Sequence, residues 1–259
     1  MTPAISQDSI PIQAAIEAKA LYYAYPGSRT PALNGLTITI NKGEIFGLLG
    51  PNGAGKTTVL SILSTLFKPN SGEFFIFGIN AIQHPESARE IIGFIPQELA
   101  LYQVLTLREN LAYFGRLCGL HGRKLKQRIT ECLEIVGLEK YGNHRVKHLS
   151  GGLKRRGNIA VAMINKPKVL FLDEPTVGVD IHTRKLIFNN LHQLKTSGMT
   201  MIYTTHYMED AQQLCNRITI LDNGKHIAEG KPDDLIKKVQ GCENLEDLFL
   251  YLTGREIME

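Results

Sequence analysis

The sequence predicts an α/β fold, with an antiparallel β piece ahead of the main sheet and a helical insert within it, on three observations. Ile45-Phe46-Gly47-Leu48-Leu49 is short and nearly all apolar, the pattern of a strand buried on both faces, and it enters a glycine-rich loop and then a helical stretch over residues 56–67. Val169-Leu170-Phe171-Leu172 repeats that pattern and is followed by a helix at 183–195 and a strand at 199–204. Between these halves residues 106–165 are helical in pattern, so the alternation of strand and helix is interrupted and then resumed.

Taken in order, residues 1–15 read as a loose leader, and 16–25 and 36–40 as strands, the second alternating Leu-Thr-Ile-Thr-Ile. Further strands are expected at 72–77 and 91–95. The insert opens on a capping box, Thr106 with Glu109 three residues on, and its first helix should bury Leu107, Leu111, Phe114, Leu117 and Cys118 on one face. Asp222-Asn223-Gly224-Lys225 is a hairpin turn between strands at 217–221 and 226–229, and the tail from residue 231 reads as short, helical and polar. There is no repeat or linker, which predicts interleaved subdomains: a domain over 16–230 with a helical subdomain at about 98–165 inside its α/β core.

Composition excludes more than it selects. With 43% hydrophobic and 21% charged residues the chain is neither disordered nor collagen-like. A net charge of +4 suits an anionic lipid surface, a nucleotide or a nucleic acid alike. Cys118, Cys132, Cys215 and Cys242 form no CxxC pair, which argues against a zinc ribbon or dithiol motif and for free thiols in a reducing cytosol. No run approaches the ~20 apolar residues of a membrane-spanning helix. The start of the chain lacks the pattern of a signal peptide, so the cytosol or the cytosolic membrane face is expected.

The chemistry begins at Gly50-Pro51-Asn52-Gly53-Ala54-Gly55-Lys56-Thr57-Thr58, which fits the GxxxxGK[ST] phosphate loop and lies between a buried strand and a helix, as that motif requires. Its glycines let backbone N–H groups converge on a phosphate, and the helix N-terminus adds positive potential. Lys56 would reach the β- and γ-phosphates, and the Thr57 hydroxyl would ligate Mg²⁺. Val169-Leu170-Phe171-Leu172-Asp173-Glu174 is an apolar strand ending in two carboxylates. Asp173 is expected to hold Mg²⁺ through its water shell, and Glu174 to polarise the attacking water.

A third element, Leu149-Ser150-Gly151-Gly152-Leu153-Lys154-Arg155-Arg156, lies just before that strand. Ser150 is a good N-cap, and the glycines leave backbone N–H groups bare at a helix start, a second anion site in the same chain. The string resembles the LSGGQ signature of ATP-binding cassette proteins, with Leu153 where glutamine is most common. The resemblance runs from about residue 16 to 230 and implies a phosphate-loop NTPase core with an antiparallel β subdomain and a helical insert carrying the signature. It implies head-to-tail pairing with a second cassette chain, each ATP lying between one chain's phosphate loop and Ser150, Gly151 and Gly152 of the other.

The same resemblance implies further roles. Gln97 would sense Mg²⁺ and the γ-phosphate and face a membrane subunit, Asp180 of Gly178-Val179-Asp180 would cross the dimer, His206 would contact the γ-phosphate, and Tyr25 would stack on adenine, although Tyr22 and Tyr23 lie close by. Taken singly these are a loop polar residue, a helix N-cap, a strand-end cap and a core ring. LSGGLKRR followed by Asp-Glu-Pro-Thr-Val-Gly-Val-Asp looks like the exporter-type branch, an ATPase at the cytoplasmic face of the membrane driving an integral membrane permease for a drug, antibiotic, lipid or polysaccharide. The alternative is a soluble cassette acting in nucleic acid, ribosome or iron–sulfur work. The insert is too short for the coiled coil of chromosome-type members, and the chain holds one cassette where translation-type members usually hold two, so no nucleic acid is expected. The basic stretches 123–128 and 154–156 read as solvated helix faces before they read as lipid contacts.

Overall fold

The computed structural model describes residues 14–254. The leader expected over residues 1–15 therefore lies outside the described residues, apart from Ala14 and Ala15, which already belong to a strand. Strands β1 (Ala14–Tyr23), β2 (Leu33–Asn41), β4 (Ser71–Ile76) and β5 (Ile79–Asn80) form an antiparallel sheet in the order β2-β1-β4-β5. On β2 the alternation expected from the sequence is realised, with Leu36, Ile38 and Ile40 buried while Thr37 and Thr39 face out.

The larger sheet runs β10-β9-β3-β8-β7-β6, from β3 (Ile45–Leu49), β6 (Ile92–Ile95), β7 (Val169–Asp173), β8 (Thr200–Thr205), β9 (Arg217–Asp222) and β10 (Lys225–Gly230). All its pairings are parallel except β10 on β9. The all-apolar runs follow from burial on both faces. Phe46 and Leu48 of β3, with Val169 and Phe171 of β7, pack toward the small sheet and helix α1 (Lys56–Leu63). The alternate residues Ile45, Leu49, Leu170 and Leu172 pack into a second core on the opposite face.

That second core holds the insert: α3 (Leu107–Leu117), α4 (Gly122–Ile135) and α5 (Gly151–Ala162). It also takes residues from α6 (Ile181–Thr196), α7 (Met208–Leu214), α8 (Pro232–Lys237) and α9 (Leu245–Thr253). Short α2 (Pro85–Arg89) precedes β6. The Asn-Gly hairpin is present, with Asn223 and Gly224 both at positive φ (48° and 70°), as a two-residue turn matched to strand twist requires.

Three expectations are corrected. The helix expected over 56–67 stops at Leu63, because Thr65 turns left-handed (φ 65°), sends the N–H groups of Leu66 and Phe67 back to the Ser61 carbonyl, and is held there by Arg89 through its hydroxyl and carbonyl oxygens. The expected face of α3 is buried at Leu107 and Leu111 and partly at Phe114, but α4 and α5 cover the helix only as far as Gly115, so Leu117 and Cys118 are exposed. The tail is not merely polar: α9 buries Leu245, Leu248 and Phe249 and packs against α7. Helices α2 and α7 and strand β5 were not foreseen, being too short to show a period.

Helix α3 is joined to the segment before it through its cap and through Asn110. The capping box of α3 forms, Thr106 Oγ1 accepting from Glu109 N (3.1 Å) and Glu109 Oε2 from Thr106 N (2.7 Å). One turn in, fully buried Asn110 accepts from Tyr102 N (2.8 Å) and donates to the carbonyl oxygens of Tyr102 (3.1 Å) and Thr106 (2.9 Å). Asn110→Leu keeps the side-chain size, leaves Tyr102 N without a partner at about 1–3 kcal/mol if it stays dry, and strips one bond each from the Tyr102 and Thr106 carbonyl oxygens, which keep the backbone N–H groups of Leu105 (3.2 Å) and Asn110 (2.9 Å). The expected loss is on the order of 2–4 kcal/mol, read as a lower urea midpoint at unchanged slope.

Candidate active site

Strand β3 ends at Leu49 and α1 begins at Lys56, so the chain reverses within six residues against its neighbours. Gly50 takes φ 152°, and a Cβ there would collide with the Leu221 carbonyl oxygen at the end of β9, so this turn has room for glycine alone. The loop is fastened to the hairpin, Gly224 N donating to Ala54 O (3.1 Å) and Asn34 N to Gly224 O (3.0 Å). Helix α1 has no side-chain cap at Gly55, which leaves its first N–H groups for a ligand. Lys56 folds back over the loop and donates to the carbonyl oxygens of Gly50 (2.8 Å) and Pro51 (3.1 Å). Burial lowers its ammonium pKa against the opposing pull of Glu174 and Asp173.

Asp173 closes β7 at 4% exposure, its Oδ1 accepting from Thr204 Oγ1 (2.7 Å) and Thr57 Oγ1 (3.4 Å). Burial raises its carboxyl pKa, and these two hydroxyls act in the other direction. Glu174 leaves the strand in the left-handed region (φ 45°), unusual for a residue other than glycine, and its N–H donates to Thr204 Oγ1 (3.0 Å). Its carboxylate sits between two bases, Oε1 3.7 Å from Lys56 Nζ and Oε2 3.1 Å from His206 Nδ1. Thr204, which holds both carboxylate residues, was not singled out from the sequence. The available signal was a polar residue in a strand buried at every position, beside the Asp-Glu strand.

Lys56 and Glu174 face a cavity of about 290 Å³ lined also by Tyr25, Ala32, Asn52, Gly53, Gly55, Thr57, Thr58 and Gln97; Asp173 and His206 do not line it and connect to it through their bonds to Thr57 and Glu174. Most of the residues expected to meet nucleotide are thus brought together. Among the three neighbouring tyrosines it is Tyr25 that borders the cavity, with its hydroxyl 3.0 Å from Thr58 Oγ1 and its ring edge-on to Tyr23 (5.1 Å) and Phe67 (6.1 Å).

Ser150, Gly151, Gly152 and Asp180 do not line that cavity; they form a second cluster joined through Thr183. Ser150 caps α5, Oγ accepting from Leu153 N (3.4 Å), and Asp180 caps α6, accepting from Thr183 N (2.9 Å) and Thr183 Oγ1 (2.7 Å). Those bonds hold the Asp180 carboxyl below its usual range. Within one chain Asp180 is therefore the helix cap that it would be if read singly. A Cβ on Gly152 would collide with the Thr183 hydroxyl, so this glycine serves the packing of α5 on α6, whereas Gly151 has open space around it. Leu153, the departure from the glutamine of the signature, is partly buried against the large core.

Known proteins match the chain along these lines. The ABC transporter family profile covers residues 33–177. The chain is 43% identical over 244 residues to the linearmycin resistance ATP-binding protein LnrL of Bacillus subtilis (strain 168), covering 94% of this chain and 76% of that protein. It is 45% identical over 214 residues to the Nod factor export ATP-binding protein I of Rhizobium sp. (strain N33), covering 83% and 70%. Among solved structures, the dimeric post-hydrolysis state of the ATP-binding cassette MJ0796 bound to ADP and Pi superimposes with a TM-score of 0.76 at 31% identity, over 83% of this chain and 98% of that one. The ATP-binding subunit of an ABC transporter superimposes with a TM-score of 0.81 at 29% identity, over 92% and 99%. With its phosphate loop, Asp-Glu strand end and signature helix set in that fold, the chain belongs to the ABC transporter family, as an ATP-hydrolysing cassette.

Proposed function

We propose that this chain binds ATP with Mg²⁺ and hydrolyses it at a site completed by a second cassette, and that it thereby drives export through a separate integral membrane permease from the cytoplasmic face of the membrane. The observation that carries the reading is the Glu174 carboxylate, held between Lys56 and His206 at the mouth of the glycine loop.

The bare N–H groups at the start of α1 would bind the β-phosphate, and Lys56 Nζ would exchange its two loop carbonyls for β- and γ-phosphate oxygens. Glu174 takes a proton from the attacking water as the new bond to γ-phosphorus forms and the bond to the bridging oxygen breaks, leaving ADP and phosphate. His206 Nδ1 holds Glu174 Oε2 and so sets the direction of Oε1, the oxygen that Lys56 pairs with in the free chain. Among the described residues there is no group of three or more His, Cys, Asp or Glu able to hold a metal by themselves. Thr57 and Asp173 nevertheless bring two oxygens together, a donor set that fits Mg²⁺ shared with phosphate oxygens and water, and Gln97 lines the same cavity. Such an ion neutralises charge on the transferred phosphoryl group. Tyr25, which lines the same cavity, would stack on adenine.

The permease reading is supported by the export and resistance roles in the names of the two relatives, and by an apolar surface that follows Gln97: Leu99, Tyr102 and Val104 in the loop and Tyr113 and Leu117 on α3 are all exposed. Among the described residues no helix is long and apolar enough to cross a membrane.

Three outcomes test this. Glu174→Gln keeps equilibrium ATP binding, lowers turnover by about 10²–10⁴ and accumulates an ATP-dependent dimer in size-exclusion chromatography; unchanged turnover sinks the assignment of the base. Gly151→Ala, whose added methyl meets nothing within its own chain, leaves the melting temperature in place and lowers turnover on the order of a hundredfold if another chain's phosphate lies there; full activity argues for a site complete within one chain. Affinity capture from membranes with the tagged Glu174→Gln chain and ATP recovers an integral membrane protein in stoichiometric amount, and recovery of none counts against transport.

A further inference from the structure

Behind the cavity lies a buried polar network that none of the roles above uses. Asp210, on α7, has no exposed surface. Its Oδ2 accepts from Thr176 Oγ1 (2.7 Å) and Tyr203 Oη (3.0 Å), two hydroxyl oxygens that lie 2.9 Å apart. Its Oδ1 has no hydrogen-bond donor among the described residues and is answered by the guanidinium of Arg184 on α6 as an ion pair. A carboxylate taken fully out of water is tolerated only when so partnered, and removing one partner strands the rest.

The members come from four segments, each next to a residue of the hydrolytic or partner-facing groups. Thr176 is two residues past Glu174, in the loop that ends at Asp180. Tyr203 precedes Thr204, which holds both Asp173 and Glu174, and lies three residues before His206. Asp210 is four residues past His206. Arg184 N donates to the Asp180 carbonyl (2.9 Å), and its guanidinium lies 5.6 Å from the Tyr207 ring, which itself sits 4.1 Å from the His206 ring. One carboxylate therefore ties the loop that starts at Glu174, the strand end that carries His206, and the helix that Asp180 caps.

We propose that Asp210, through its pair with Arg184, is a positioning residue for hydrolysis: it makes Glu174, His206 and the Asp180–Thr183 corner move as one body. Pressure from a second cassette on the cluster of Ser150, Gly152, Thr183 and Asp180 then reaches the water-activating carboxylate without being absorbed by the intervening loop. The inference rests on the reading of Glu174 and His206 as the hydrolytic pair.

The test separates placement from stability. In Asp210→Asn and in Arg184→Gln, turnover per bound nucleotide falls roughly ten- to hundredfold while the KM for ATP and the equilibrium affinity stay within about twofold, the split expected when a reacting group is displaced by about an ångström. Arg184→Lys, which keeps the charge, restores most of the turnover. The Asp210→Asn/Arg184→Gln double variant is no worse than the poorer single one, because both act through one pair. A lower melting temperature with wild-type turnover per bound nucleotide overturns the proposal. Should Asp210→Asn not fold, Arg184→Gln carries the test, since the Arg184 side chain is 28% exposed. Glu174→Gln in the same assay distinguishes the two levels: its full activity overturns the hydrolytic reading and this inference with it, and its inactivity beside a fully active Arg184→Gln overturns this inference alone.

Discussion

Lys56 carries its ammonium at 5% exposure, and a charge taken that far out of water costs several kcal/mol unless the protein answers it. Two loop carbonyls answer it at hydrogen-bond distance and Glu174 at 3.7 Å. The answer is incomplete, since burial still lowers the Lys56 pKa while it raises that of Asp173. The signs combine. A lysine whose folded pKa lies below its unfolded value, and an aspartate whose folded pKa lies above, are both charged at a cost to folding at neutral pH. A polyphosphate relieves the first cost, and in the proposed site a divalent cation would relieve the second, so the same strain that weakens the free chain favours the bound nucleotide. The left-handed Glu174 adds to that stored cost at the position where the proposed chemistry asks for a carboxylate turned out of the strand line.

Holding such a site requires a rigid frame around it, and the two cores supply one. Because β3, β7 and β8 are buried at every position, the strand ends that carry the phosphate loop, Asp173 and Thr204 cannot shift without disturbing side chains on both faces of the sheet. Thr204 bridges two of those ends, bonding Asp173 Oδ1 and Glu174 N across adjacent strands. The insert is attached more lightly. Between Gln97 and the helix α3 the chain is irregular, held by Arg155 Nη1 to the Pro96 carbonyl (3.1 Å), Asn158 Oδ1 to Ala100 N (3.1 Å) and the Asn110 bonds. Two of these side chains sit on α5, the helix that begins with the signature, so a displacement at Gln97 is passed to that helix through side-chain bonds to backbone.

What was legible in the sequence was whatever rests on local pattern. The all-apolar strands, the Asn-Gly turn and the capping box of α3 follow from residue type and spacing, and each is found. The end of α1 was not legible, because its stop is a left-handed threonine held by Arg89 from 24 residues away, and no breaker residue marks it. The tail misled because its acidic first turns hide a buried stripe of Leu245, Leu248 and Phe249, whose partner α7 was itself too short to show a period. Motif order singled out Lys56, Thr57, Gln97, Asp173, Glu174 and His206, while Tyr203, Thr204, Asp210 and Arg184 lie in no motif, and Thr176 sits inside Asp-Glu-Pro-Thr-Val-Gly-Val-Asp with no role that the motif assigns. Their importance is a matter of which strand ends and helix starts meet in space.

The paired glycines of the signature show how far one sequence signal can divide. Both were read as baring backbone N–H groups at a helix start, yet Gly152 is fixed by Thr183 pressing against it, a constraint that would hold if no nucleotide were ever bound there. Gly151 has no such excuse within its own chain: it is exposed, it faces open space, and its backbone φ asks for no glycine. For a surface position with neither steric nor conformational need for glycine, the proposed pairing with a second cassette supplies one. In that proposed pairing an anion brought by the second cassette, too close to the helix start to leave space for a methyl group, is a constraint of the right size. The physical asymmetry between two adjacent identical residues is thus what points from a capped helix toward half of a shared site.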